Sequence, residues 1–237
     1  MYIFWDPLNV ALARMILTTA PSTSATKAER RRSAILESAE HLFALYGFNA
    51  TRLEDVAEDA GLTRPALFYH FSDKQALYHA TLANAFGSLA SQLEQALMSG
   101  GSVVERFEKA TEVLIEEVTR RPSLGRLVLR YVTDIGEQQE QSIYPESNQL
   151  IETAWALFNQ GCESGELRPL HENPFHAASV VIGSTVFYVS AITKLIPSGD
   201  FDSLSSKHIA AQKNETLQIV RFLLDVSPAT PDAEGVK

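Results

Sequence analysis

The sequence predicts an all-α fold of about nine helices: a three-helix N-terminal unit with a helix-turn-helix, followed by a larger helical bundle. Three observations carry this. Apolar residues recur at helical spacing almost throughout, no stretch sustains the two-residue alternation of a half-buried strand, and start and stop signals fall at regular intervals.

The elements follow in order. Ile35, Leu36, Ala39, Leu42, Phe43 and Tyr46 form one apolar stripe, closed by Gly47. Thr51-Arg52-Leu53-Glu54 reads as a capping box opening a short helix that ends near Ala60-Gly61. A second short helix spans Arg64 to Phe71, and Ser72-Asp73-Lys74-Gln75 reads as another capping box, opening a long helix to about Met98. Gly100-Gly101 breaks the chain, and Ser102-Val103-Val104-Glu105 caps a fifth helix ending before Arg121-Pro122. The sixth runs from about Ser123 to Gly136 and the seventh over roughly 143–163. Asn173-Pro174 reads as N-cap then first helical residue, because a pre-proline residue is pushed toward the extended conformation that an N-cap needs. This eighth helix, about 174–196, is apolar nearly all round and stops at Pro197-Ser198-Gly199. The ninth spans about 203–226. The expected division is therefore an arm over 1–26, a unit over 27–72, a bundle over 73–226 and a tail over 227–237. Arm and tail are expected to be disordered, with Met15 a candidate natural start.

Composition bounds the partners. The 237 residues carry a formal charge of -9, which does not by itself suggest nucleic acid. Between Lys27 and His79, however, 7 Lys+Arg stand against 8 Asp+Glu, so most of the acid lies further on and the first unit can present a basic face. Cys162 is the only cysteine, which fits a reducing cytoplasm and excludes an intrachain disulfide. No uncharged apolar run is expected to approach the roughly 18–20 residues a membrane span needs. The six histidines show no metal-ligand spacing, and no nucleophile elbow, P-loop or dinucleotide turn appears. Glu116-Glu117 point about 100° apart on a helix and read as a solvated face. No metal, cofactor or enzymatic activity is expected.

The informative stretch is 53–77. Ala57 is small where a second helix must approach, Gly61 suits a turn with positive φ, and Val56, Leu62, Leu67 and Phe71 can bury together. An outward helix start bearing Thr63, Arg64 and Ala66 suits a DNA major groove. Arg30-Arg31-Arg32, Gly47-Phe48, Ala60-Gly61-Leu62-Thr63, Phe68-Tyr69-His70-Phe71 and Lys74 together resemble the DNA-binding domain of the tetracycline-repressor (TetR) family over residues 28–77.

That resemblance implies a dimeric regulator gripping a palindromic operator in double-stranded DNA, released by a small-molecule effector. It implies base-edge contacts from Thr63, Arg64 and Ala66, groove or phosphate contacts from Tyr69 and His70, and a phosphate contact from Lys74. Thr51, Lys27, Arg30, Arg31 and Arg32 are candidates for the flanking backbone. Phe68 stands where the family usually has Tyr, leaving only an apolar contact there. Pro65 lies in the reading helix, tolerable only in its first turn. Phe107, Tyr131, Trp155, Phe158, Phe187 and Tyr188 are candidates to line an effector pocket. Helices 174–196 and 203–226 are the implied homodimer interface, where Gly183, Ser184 and Ser190 would let a partner helix approach. Two other readings stand beside this one: a DNA-binding protein without ligand gating, and a helical enzyme containing a helix-turn-helix.

Overall fold

A computed structural model describes residues 26–134, 145–196 and 201–224; the arm before Thr26 and the tail after Leu224 lie outside the described residues. The described chain is all-α, with no strand among these residues: α1 Lys27–Ala50, α2 Leu53–Asp59, α3 Arg64–His70, α4 Lys74–Leu97, α5 Val103–Arg120, α6 Pro122–Asp134, α7 Pro145–Ser164, α8 Pro174–Phe187 and α9 Ser206–Leu223. A π-helical turn, Tyr188–Ile192, and a short turn, Thr193–Leu195, prolong α8.

Capping explains most helix starts. The expected Ser102–Glu105 box forms, with the Ser102 hydroxyl accepting from Glu105 N at 3.2 Å and the Glu105 carboxylate accepting from Ser102 N at 2.8 Å. Thr26 and Glu29 form another at the start of α1, which the sequence reading missed. Two expected boxes are replaced. At α2 the N-cap is Arg52, with no side-chain cap, because the Thr51 hydroxyl turns back to donate to Gly47 O at 2.8 Å and Leu42 O at 3.2 Å. At α4 the cap is Asp73, whose carboxylate accepts from Ala76 N at 2.8 Å and from the Ser72 hydroxyl at 2.9 Å. Gly47 breaks the helical path as expected, and a short helical piece to Ala50 follows it within α1. At φ 77° Gly47 kinks the helix, and a Cβ there would stand 2.8 Å from Arg130 Nη1.

Two hydrophobic clusters hold the molecule. The first joins Ile35, Ala39, Phe43, Val56, Leu67 and Leu77 to Leu124, Leu127 and Val189, so it crosses the α3–α4 corner without a seam. The second gathers Leu97, Val103, Leu157, Phe158, Leu167 and Val220 from α4, α5, α7 and α9. Between α1 and α6, buried Glu40 accepts from Arg121 Nη2 at 2.5 Å and from the Ser123 hydroxyl at 2.7 Å, while Arg130 donates to the Ala44 and Leu45 carbonyls.

The eighth helix corrects one expectation. Pro174–Ile192 gives 19 residues apolar enough to span a membrane by length and composition. Its two sides differ, however. Thr185, Val186, Val189 and Ser190 face inward, with Ser190 against Gly125 rather than open to a partner. Phe175, Val180, Ile182 and Phe187 are 42–49% exposed, and nothing lies within 4 Å of a Cβ placed on Gly183.

Candidate nucleic-acid interface

The helix-turn-helix is built from α2 and α3. Val56 and Leu67 are fully buried, Ala57 and Phe71 nearly so, and Gly61 takes φ 66° in the turn. This packing leaves the first turn and one side of α3 outward. Thr63 is the N-cap in extended conformation, Arg64 follows it, and Pro65 sits within the first turn, where its missing N–H costs no intrahelical bond. Thr63, Arg64, Phe68 and Tyr69 are exposed, Tyr69 by 84%; Ala66 and His70 are half-buried.

The N-terminal turns of α1 run alongside. An open groove of about 400 Å³ between α1 and α3 is lined by Lys27, Ala28, Arg31, Ala66, Tyr69 and His70. Five of these residues were singled out in the sequence, from two segments nearly 40 residues apart. Arg30 and Arg31 are exposed beside it, and the Arg32 guanidinium lies 5.3 Å from the Phe71 ring centre.

Three residues have partners that sequence reasoning did not foresee. Lys74 Nζ donates to Asn49 O at 3.0 Å and lies 4.7 Å from the Phe48 ring centre, so it ties α4 to the end of α1. Thr51 is 2% exposed with its hydroxyl turned inward. Glu54 pairs instead of capping: its Oε1 lies 3.2 Å from Arg64 Nε, and its Oε2 lies 4.0 Å from Arg52 Nε. The Glu54 carboxyl is lowered from its ordinary range, chiefly by its own backbone N–H, with burial opposing and Arg64 and Arg52 adding. The Asp73 carboxyl is lowered by the Ala76 N–H and then by the Ser72 hydroxyl. Opposite charges within hydrogen-bond reach would have revealed Glu54, but only once α2 and α3 were folded together.

The six aromatic residues named for an effector pocket do not meet in one place. Phe107 and Phe158 belong to the second cluster, whereas Tyr131 and Tyr188 pack against the first. Trp155 lies tilted against Phe175, with ring centres 5.5 Å apart, and is 37% exposed, while Phe187 is 49% exposed. A cavity of about 110 Å³ lies beside Phe158, lined also by Leu170, His171, Asn173, His176 and Leu223. Among the described residues no group of three or more His, Cys, Asp or Glu could hold a metal ion.

Comparison with known proteins places this geometry. Residues 35–81 match the family described as bacterial regulatory proteins, tetR family. The HTH-type transcriptional activator FasR of Mycolicibacterium smegmatis is 31% identical over 108 residues, 45% of this chain and 49% of that relative, so the match spans about half of its length. The HTH-type transcriptional regulator RutR of Escherichia coli K12 is 27% identical over 173 residues, covering 73% of this chain and 79% of RutR. The fold is shared with AibR, solved in complex with isovaleryl coenzyme A and operator DNA, at a TM-score of 0.63, 19% identity and coverage of 82% and 98%. The matched segment contains the kinked end of α1, the whole helix-turn-helix and the start of α4, so the likeness to the tetR family of bacterial regulatory proteins is carried by the helix-turn-helix.

Proposed function

We propose that this chain is a cytoplasmic, homodimeric transcriptional regulator that grips a palindromic operator through α3 and is released from it by a small molecule. One observation carries the reading: the α1–α3 groove, where Lys27, Arg31, Tyr69 and His70 from distant segments converge on an otherwise acidic chain. Thr63, Arg64, Ala66 and Phe68 supply the base-edge face, while Arg30, Arg31, Tyr69 and His70 meet the flanking backbone. Lys74 adds charge at the start of α4 while fastening that helix to α1. Thr51 acts by shaping the α1–α2 corner. Repression is the favoured sign of control.

The dimer rests on the exposed apolar residues of α8 and on Ile219 and Phe222 of α9, 39% and 69% exposed. A second copy covering both helices would bury this apolar surface and set two α3 helices about 34–36 Å apart, one turn of DNA. This arrangement also accounts for α8 without a membrane.

The effector enters the bundle of α4 to α9, and Phe107, Tyr131, Trp155, Phe158, Phe187 and Tyr188 remain candidate contacts. The cavity beside Phe158 is smaller than the ~300 Å³ an ordinary ligand pocket occupies. An effector of ordinary size seated beside Phe158 selects a more open bundle, and the shift reaches α3 because α4 belongs to both parts. That AibR was solved with isovaleryl coenzyme A and operator DNA supports pairing a small molecule with DNA on this fold. The same small cavity favours one rival, a regulator without ligand gating.

Fluorescence anisotropy of the purified protein on a labelled duplex from its own upstream DNA tests the reading, with Arg31→Ala and Tyr69→Ala beside the wild type. Binding that both substitutions weaken supports it. No salt-dependent affinity for any duplex would overturn it.

A further inference from the structure

Glu54 presents a problem that DNA binding alone does not answer. It lies on α2 next to the reading helix, half-exposed, on a face expected to meet phosphates. A carboxylate there repels DNA. An exposed ion pair of this kind adds little to folding stability, so stability is a weak reason for its presence. Its position supplies a better one.

The Arg64 side chain is fixed at two points. Its Nε lies 3.2 Å from Glu54 Oε1, and its guanidinium carbon lies 5.3 Å from the ring centre of Phe68, one helical turn further along α3. The side chain remains 61% exposed, and among the described residues its terminal Nη1 and Nη2 make no hydrogen bond or ion pair. Arg52, whose Nε is 4.0 Å from the other Glu54 oxygen, makes the trio one carboxylate between two guanidiniums, with a net charge of +1. The result is a flat, forked pair of donors at the first residue of the second helix of a helix-turn-helix, where base edges are met.

We propose that Glu54 is a positioning residue for sequence reading: it orients Arg64 so that Nη1 and Nη2 bond the O6 and N7 of one guanine in each operator half-site. This rests on the DNA-binding reading above and deepens it by naming the base. Guanine alone offers two adjacent acceptors in the major groove; adenine sets a donor beside N7, and the pyrimidines lack the pair. A phosphate also accepts a forked guanidinium. The exposed apolar ring of Phe68 beside Arg64 suits a base edge or thymine methyl and not a phosphate. The Phe that departs from the family's usual Tyr thereby gains a role: it backs the arginine with its ring face.

The experiment uses the full chain and a pool of duplexes with a randomised 20-base-pair centre. After selection by the wild type, each guanine of the winning duplex is replaced in turn by 7-deazaguanine, which keeps pairing but removes the N7 acceptor. One guanine per half-site should respond, the replacement costing the wild type about fivefold or more and costing Arg64→Ala nothing. Glu54→Ala should lose most of that discrimination while binding random-sequence duplex more tightly, since a carboxylate has left the face. Glu54→Gln should fall between the wild type and Glu54→Ala, because the side chain keeps its bulk beside Arg64 Nε but loses the charge that pairs with it. Unchanged thermal midpoints would separate these effects from unfolding. Wild-type discrimination in Glu54→Ala, an equal loss on all sequences, or a selected site indifferent to every 7-deaza replacement would overturn the inference and leave the DNA-binding reading standing. A wild type that binds no duplex would overturn both.

Discussion

Asp73 shows how one side chain ties the reading unit to the rest. Its carboxylate caps α4 by accepting from Ala76 N and the Ser72 hydroxyl, and those bonds hold its pKa below the ordinary carboxylate range. A lowered folded-state pKa stabilises the fold fully above the ordinary Asp value of about 3.9, and that contribution disappears as pH falls through the lowered value. Asp73→Asn should therefore reduce the thermal midpoint at neutral pH and converge with the wild type in acid. Equal differences at all pH values would show that the charge plays no part. The residue scale is also where the sequence was least legible. Thr51, Ser72 and Glu54 all satisfy a capping pattern, yet none of them plays its expected part in a box. Thr51 found carbonyls of α1, Asp73 outcompeted Ser72, and Glu54 found an arginine from the next helix. Spacing identifies residues able to cap; the surrounding fold decides which of them do.

At the scale of elements, α6 is a second bridge between the reading unit and the bundle, beside α4. The buried Glu40 of α1 receives Arg121 and Ser123 from the α5–α6 corner, and Arg130 grips the carbonyls just before the Gly47 kink. Arg121→Ala would leave a carboxylate with only 9% side-chain exposure short of its charged partner. The expected cost is roughly 2–3 kcal/mol in thermal or urea unfolding, together with a weaker operator response to effector; wild-type stability would show that Ser123 suffices. The order and type of the nine long helices among the described residues were legible, as were the Asn173 cap, the Gly61 turn and the Ser102–Glu105 box, because local backbone chemistry determines them. The π turn at Tyr188–Ile192, which carries Ser190 next to Gly125 of α6, was not legible, since the apolar pattern there continues at ordinary helical spacing. The scattering of the six aromatics was equally hidden: helical spacing marks an apolar side chain without saying which neighbour, core or partner, covers it.

For the whole molecule, the proposed function rests dimerisation on the exposed apolar residues of α8 and α9 and DNA binding on the groove of α1 and α3. Phe222, 69% exposed on α9, tests the first. Phe222→Glu should sediment as a monomer at micromolar concentration, where the wild type is a dimer, and should bind its operator more weakly because one reading helix grips less than two. A dimeric Phe222→Glu would place the interface elsewhere. The second is the central claim: a chain with formal charge -9 binds a polyanion through local arrangement rather than net charge. The slope of log affinity against log salt concentration on operator duplex tests it most directly. Some three to five phosphate contacts per protomer predict a slope of roughly -5 to -9 for the dimer, made shallower by about two by Arg31→Ala, which removes one contact from each protomer. A slope near zero, or one that Arg31→Ala leaves untouched, would contradict it.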